Sequence, residues 1–162
     1  MRERVLRREQ VLEAPVEQAF EFFSRAENLE AITPPWLRFR ITTPTPIEMK
    51  AGTLIRYRLR LHGMPVRWLT RIEEWDPPRR FVDQQLSGPY ALWHHTHSFE
   101  QLPDGRTRMA DIVRYGHRFG PLGNLAQPIV QRDLRRIFDY RRDKIAELIG
   151  ETHSDTHSGG TA

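Results

Sequence analysis

The chain has 162 residues, a formal net charge of +4, 38% hydrophobic and 28% charged residues, and no cysteine. That length suits one domain with one core, and the composition excludes a disordered or membrane-spanning chain. The missing cysteine excludes disulfides, a cysteine nucleophile and thiolate metal sites.

The first residues, MRERVLRREQ, contain no apolar run, so no signal peptide is expected and a cytoplasmic location is the default. Arg4 to Glu13 reads as a strand. Ala14-Pro15 opens a helix, since proline is tolerated at the first helical position, and Val16, Ala19, Phe20 and Phe23 form its apolar stripe. A second short helix is expected over Ala26–Ile32, stopped by Thr33-Pro34-Pro35. The period then changes to two. Strands are expected over Trp36–Thr42, Thr53–Leu61, Val66–Trp75, Arg80–Leu86, Tyr90–Gln101 and Arg106–Tyr115, separated by turn signals such as His62-Gly63, Ser87-Gly88-Pro89 and Pro103-Asp104-Gly105. A long helix follows over Pro121–Ile149, with a kink or break expected at Pro128 and a stop at Gly150. Domain 1–150 is then followed by a tail, 151–162, with no apolar periodicity; His153 and His157 within it read as solvated. No internal repeat is present.

The order is strand, two short helices, six antiparallel strands, long helix. An antiparallel sheet buries one face and needs a cover, and the last helix is the element long enough to supply it. The stretch EAPVEQAFEFFSRAENLEAITPPW (Glu13 to Trp36) and this element order resemble the helix-grip fold of the SRPBCC superfamily, which groups START lipid-transfer domains, birch-pollen-allergen-like proteins and polyketide cyclases. The resemblance covers about Val5 to Ile149. It implies an α+β fold with a seven-stranded curved antiparallel sheet wrapped around the C-terminal helix. The segments GPYALWHHTHSFE (Gly88 to Glu100) and FGPLGNLA (Phe119 to Ala126) are similar to a bacterial subgroup whose members stand alone or beside an epimerase-like short-chain dehydrogenase domain. No catalytic residue is common to the superfamily, so the resemblance implies a ligand cavity and not a reaction. It also leaves room for a homodimer or a dehydrogenase/epimerase-type partner.

The densest chemistry lies at Trp93-His94-His95-Thr96-His97-Ser98-Phe99. Alternate strand residues share a face, so Trp93, His95, His97 and Phe99 point one way, with Tyr90, Leu92, His94 and Thr96 opposite. On the following strand Thr107, Met109, Asp111, Val113 and Tyr115 form the inner set. A three-residue loop Pro103-Asp104-Gly105 sets Phe99 against Met109, His97 against Asp111, His95 against Val113 and Trp93 against Tyr115. A buried charge is tolerated when paired, so three roles fit His97 and Asp111: a structural pair, a polar anchor in a cavity, or an acid/base dyad in which Asp111 orients His97. A metal through His95 and His97 would need a third ligand that the sequence does not place, so none is expected. No GxGxxG or phosphate-loop pattern occurs, and no organic cofactor is expected.

Other candidate pocket residues are Tyr57, Leu59, Trp68, Thr70 and Ile72 from the strands and Leu134, Ile137, Phe138 and Arg141 from the helix. His117 to Gly123 reads either as a pocket mouth or as a tight connection. Arg56, Arg58, Arg60, Arg67, Arg71, Arg108 and Arg114 fall on outward faces; without interleaved aromatics they do not suggest nucleic acid. The expected function is binding of a small, mostly hydrophobic molecule between sheet and helix. The alternatives are a cyclase- or dehydratase-like enzyme on a polyketide-type or other carbonyl substrate, and an interaction protein using the basic sheet face.

Overall fold

The protein is described by a computed structural model, which covers residues 3–117 and 120–157. Strand β1 (Arg4–Leu12) is followed by helices α1 (Val16–Ser24) and α2 (Asn28–Ala31) and a short 3-10 turn at Pro35–Leu37. Then come β2 (Arg40–Ile41), β3 (Leu54–Leu61), β4 (Met64–Asp76), β5 (Arg80–Ser87), β6 (Tyr90–Gln101), β7 (Thr107–His117) and helix α3 (Gly120–His157). The strands form one sheet in the order β1-β7-β6-β5-β4-β3-β2, and every neighbouring pair is antiparallel. Among the described residues no helix is long and apolar enough to cross a membrane.

The period-two pattern sets the faces. On β3, Ile55 and Leu59 are buried while Arg56, Arg58 and Arg60 are exposed. Two register shifts interrupt β4, and the one between Ile72 and Glu74 brings Trp75 to the inner side beside Phe20 and Phe81. Such bulges bend a strand and increase its twist.

Helix α1 closes one end of the curved sheet. Its buried stripe Val16, Ala19, Phe20 and Phe23 packs with Leu12, Phe81, Phe99, Met109 and the α3 residues Ile145 and Ile149. Pro15 carries no side chain able to cap α1; instead Gln101 of β6 accepts the Val16 backbone N–H at 2.9 Å. Thr107, fully buried, donates its hydroxyl to the Ala14 carbonyl at 2.7 Å and ties the same junction to β7. A second cluster, Val113, Tyr115, Leu134 and Phe138, holds the earlier part of α3 against β7. Edge strand β1 meets α3 through polar groups: Gln10 donates to the Arg142 carbonyl at 2.9 Å.

Four expectations change. The stretch Trp36–Thr42 is not one strand; the Pro34-Pro35 pair favours a 3-10 turn, and only Arg40–Ile41 pairs with β3. Trp36 is half exposed, its ring 5.6 Å from that of Tyr140 on α3. Of the kink or break expected at Pro128, the break does not form: helix α3 continues through it. It also passes Gly150, where the sequence predicts a stop, and reaches His157; an internal glycine costs about 1 kcal/mol but does not end a helix held by its neighbours. In the His117–Gly123 connection the helix already begins at Gly120, while Arg118 and Phe119, like tail residues 158–162, lie outside the described residues.

Candidate functional site

Between the sheet and α3 lies a cavity of about 190 Å³. Its wall is aromatic because the inward residues of β3, β4 and β6 meet there. Tyr57 stacks on Trp68 at 5.7 Å and 20°, Trp68 meets the edge of Trp93 at 5.3 Å, and Tyr90 lies 4.8 Å from Trp93. Thr70 fixes two of these rings: Trp68 Nε1–H donates to its hydroxyl at 3.0 Å, and the Tyr57 hydroxyl shares a 2.9 Å hydrogen bond with it. Burial, reinforced by the charge of Asp83, pushes the Tyr57 hydroxyl pKa up, so it stays protonated.

One part of the wall is polar. The β6–β7 register sets His97 opposite Asp111, His95 opposite Val113, Phe99 opposite Met109 and Trp93 opposite Tyr115, as the hairpin residues require. The hydrogen bonds then run diagonally. His95 Nε2–H donates to Asp111 Oδ1 at 2.9 Å, while His97 Nε2–H donates to Asp83 Oδ2 at 2.8 Å. His97 Nδ1 is 3.0 Å from Asp111 Oδ1, but its N–H is not aligned with that oxygen. His95 Nδ1 lies 3.6 Å from Asp83 Oδ2. The two imidazoles face each other at 3.8 Å, and Phe81 stacks on His97 at 4.1 Å.

This is a four-residue cluster with opposing preferences. Burial disfavours the charge on His97, but Asp111 and Asp83 outweigh it and raise its pKa. Burial together with the neighbouring His97 charge lowers the pKa of His95. Burial alone would raise Asp111, yet the two imidazoles hold it well below the usual carboxylate range. Asp83 is lowered against its burial by His97, His95 and Arg141. Of the two imidazoles, His97 is therefore the one favoured to carry charge, and together with the Arg141 guanidinium beside Asp83 it offsets the buried carboxylates. Arg141, on α3, lines the same cavity; its guanidinium lies 5.8 Å over the Phe23 ring and its buried Nε has no hydrogen-bond partner.

Residues 12–139 match the family described as polyketide cyclase/dehydrase and lipid transport. The chain belongs to this family. No curated protein sequence matches it. Among solved structures it is similar to the Zhui aromatase/cyclase from Streptomyces sp. R1128, at 17% identity and a TM-score of 0.75 over 99% of this chain and 100% of that one. It is also similar to TTHA0849 from Thermus thermophilus, at 23% identity and a TM-score of 0.68 over 92% and 99%. Ara h 8.0201 matches at 14% identity and a TM-score of 0.61 over 88% and 97%. At these identities the structures share the fold alone.

Within this family architecture, Tyr57, Leu59, Trp68, Thr70, Trp93, His95, His97 and Phe138 all line the cavity, as do Ile72, Leu134, Ile137 and Arg141. Three further residues expected there do not. Phe99 and Met109 are packed in the core that α1 closes, and Tyr115 is buried against Leu134 and Phe138. Asp111 stands behind the two histidines rather than on the cavity wall. The sequence reading misses the part of the wall supplied by α1, α2 and the segment after them, such as Phe22, Leu29 and Phe39, and it also misses Tyr90 and Asp83. Tyr90 turns inward because the register shifts between Tyr90 and Leu92. Asp83 lies directly opposite His95 on β5. A hairpin symmetric about Pro89 would have revealed Asp83, since it pairs Asp83 with His95 and Phe81 with His97.

Of the outward arginines, Arg71 pairs with Glu73, Arg108 with Glu100 at 3.0 Å and Arg114 with Glu3 at 2.7 Å. Arg58 and Arg67 sit directly across from one another on β3 and β4.

Proposed function

We propose that the protein binds a small, mostly apolar molecule carrying a polar group, held in the cavity between the sheet and α3. The observation that carries this reading is the cavity of about 190 Å³ with aromatic walls and the His95–His97–Asp83 group set into one of them. An engineered cavity of about 150 Å³ accepts one benzene, so this space suits a ligand with one or two rings or a short aliphatic chain. A few polar groups in an apolar pocket fix ligand orientation, and the histidine cluster with Arg141 would receive an oxygen-bearing end. Family membership supports the same class of ligand. Native mass spectrometry of the purified protein, followed by displacement of a fluorescent apolar dye, tests the reading. Saturable binding should weaken about tenfold in Trp68→Ala, the loss expected for about 1.4 kcal/mol of aromatic contact. Absence of saturable binding across lipids and aromatics would sink it.

One observation favours a second reading, a cyclase- or dehydratase-type reaction. His97 lines the cavity and is held toward its charged form between two carboxylates, which suits an acid that protonates a carbonyl or departing hydroxyl oxygen. Asp111 would be a positioning residue and Asp83 the carboxylate nearer the ligand. In this reading His97→Asn loses turnover of an added carbonyl substrate while dye affinity survives; parallel loss of both argues for binding alone.

A further inference from the structure

The histidine cluster has a feature that neither ligand orientation nor proton transfer requires. His95 and His97 lie two residues apart on β6 and point to the same side. Asp83 comes from the neighbouring strand, directly opposite His95. One nitrogen of each ring and one Asp83 oxygen converge, with all three within 4.8 Å of one another. Asp83 Oδ2 is 2.8 Å from His97 Nε2 and 3.6 Å from His95 Nδ1. The opposite edge of the pair is served by Asp111 Oδ1, 2.9 Å from His95 Nε2 and 3.0 Å from His97 Nδ1.

We propose that Asp83, His95 and His97 form a binding site for one first-row divalent metal ion, with Asp111 orienting the two imidazoles from behind. Two imidazoles and a carboxylate are a ligand set for zinc or ferrous iron. Metal–ligand bonds of about 2.0–2.2 Å require donor atoms roughly 3 to 4 Å apart, so sub-ångström side-chain shifts complete the set. Ligating histidines characteristically give their other N–H to a carboxylate, which fixes the tautomer and ring orientation; Asp111 does this for His95 and lies 3.0 Å from the corresponding nitrogen of His97, which a small rotation would align. The ion would take the place of the proton now shared by His97 and Asp83, so binding releases protons. Two carboxylates offset the charge of a divalent cation in this buried setting. Asp83, His95 and His97 all line the cavity, so the remaining coordination positions face it and could be filled by water or a ligand oxygen. The ion needs only these side chains and does not depend on the apolar-ligand reading.

The test uses the full chain carrying His153→Asn and His157→Asn, which removes the two histidines near its end as competing ligands. Chelator-treated protein is titrated with zinc chloride by calorimetry. The expected result is one saturable site, weakened at least about 100-fold by Asp83→Ala, His95→Ala or His97→Ala. Asp111→Asn should weaken it by about 10- to 100-fold, the range for such supporting carboxylates. Circular dichroism establishes that each variant is folded. Should the histidine variants not fold, nitrogen NMR of the imidazoles in the protein that retains them decides the matter: zinc must shift His95 Nδ1 and His97 Nε2 and leave His62 and His94 unchanged. Absence of a saturable site, unaltered affinity in Asp83→Ala, or zinc shifts confined to other histidines would overturn the proposal.

Discussion

Replacing Asp111 by asparagine keeps the shape of a buried side chain and removes its charge. Asp111 Oδ1 accepts from His95 Nε2–H at 2.9 Å and stands 3.0 Å from His97 Nδ1. Asparagine can still accept from His95, so what disappears is one of the two carboxylate charges facing His97, while Asp83 Oδ2 remains 2.8 Å from His97 Nε2. Removing one member of a buried ion pair costs about 3–5 kcal/mol when the other must remain charged. The variant can limit that loss by releasing the His97 proton, at about 1.4 kcal/mol per pH unit between the ambient pH and the unfolded histidine value. The cost is therefore pH-dependent. Because the folded pKa of His97 is raised, its contribution to stability is fully present below about pH 6.5, the unfolded value, and fades as pH rises through the folded value. Because the folded pKa of Asp111 is depressed, its contribution is present above about pH 3.9 and is lost as pH falls through the folded value. The two windows overlap between about pH 4 and 6.5. Urea unfolding of wild type and Asp111→Asn in the presence of a chelator should give a loss of up to about 3 kcal/mol at pH 5.5, and the loss should shrink as pH rises through the folded His97 value. A loss that grows as pH rises from 5.5 would refute a charge-based role and reduce the cluster to hydrogen bonding and packing.

Thr107→Val removes the hydroxyl that donates to the Ala14 carbonyl within the fully buried junction of β7 and α1. The loss should be about 1–3 kcal/mol, read as a lower urea midpoint with an unchanged slope; no shift would mean that water replaces the hydroxyl. Gly88→Ala places a Cβ 2.4 Å from Gln85 Oε1. Gln85 cannot yield freely, because its amide donates to the Tyr90 carbonyl at 2.8 Å and its oxygen accepts the Tyr90 N–H at 3.3 Å. The melting temperature should fall by about 2–8 °C, corresponding to about 1–2 kcal/mol. Since Gln85 sets the turn that brings Tyr90 inward, apolar dye binding should weaken as well; an unchanged melting temperature would show that Gln85 adapts.

The fold is legible in the sequence because its signals are local. Pro15, the Phe20 and Phe23 stripe, the arginine alternation of β3 and the Pro103-Asp104-Gly105 turn each act over a few residues. The same locality makes the pairing of His97 with Asp111 readable. Reading fails where a neighbour overrides the local signal. Pro128 and Gly150 are helix breakers in isolation, yet α3 runs through both. Strict alternation points Tyr90 outward, and a register shift turns it inward.

Away from register shifts such as that at Tyr90, the sequence by itself determined which side chains face the interior of the sheet, because strand alternation and hairpin loop length are short-range constraints. Only the tertiary structure decided which of those inward residues are packed and which border empty space. Phe99 and Met109 share a face with His95 and His97, but α1 inserts Phe20 and Phe23 over them and leaves the histidines bordering the cavity. It also decided that Asp83 joins the two histidines, since that contact depends on how β5 aligns with β6. Close packing is a property of elements meeting at particular distances, and no single segment encodes the distance to its neighbour.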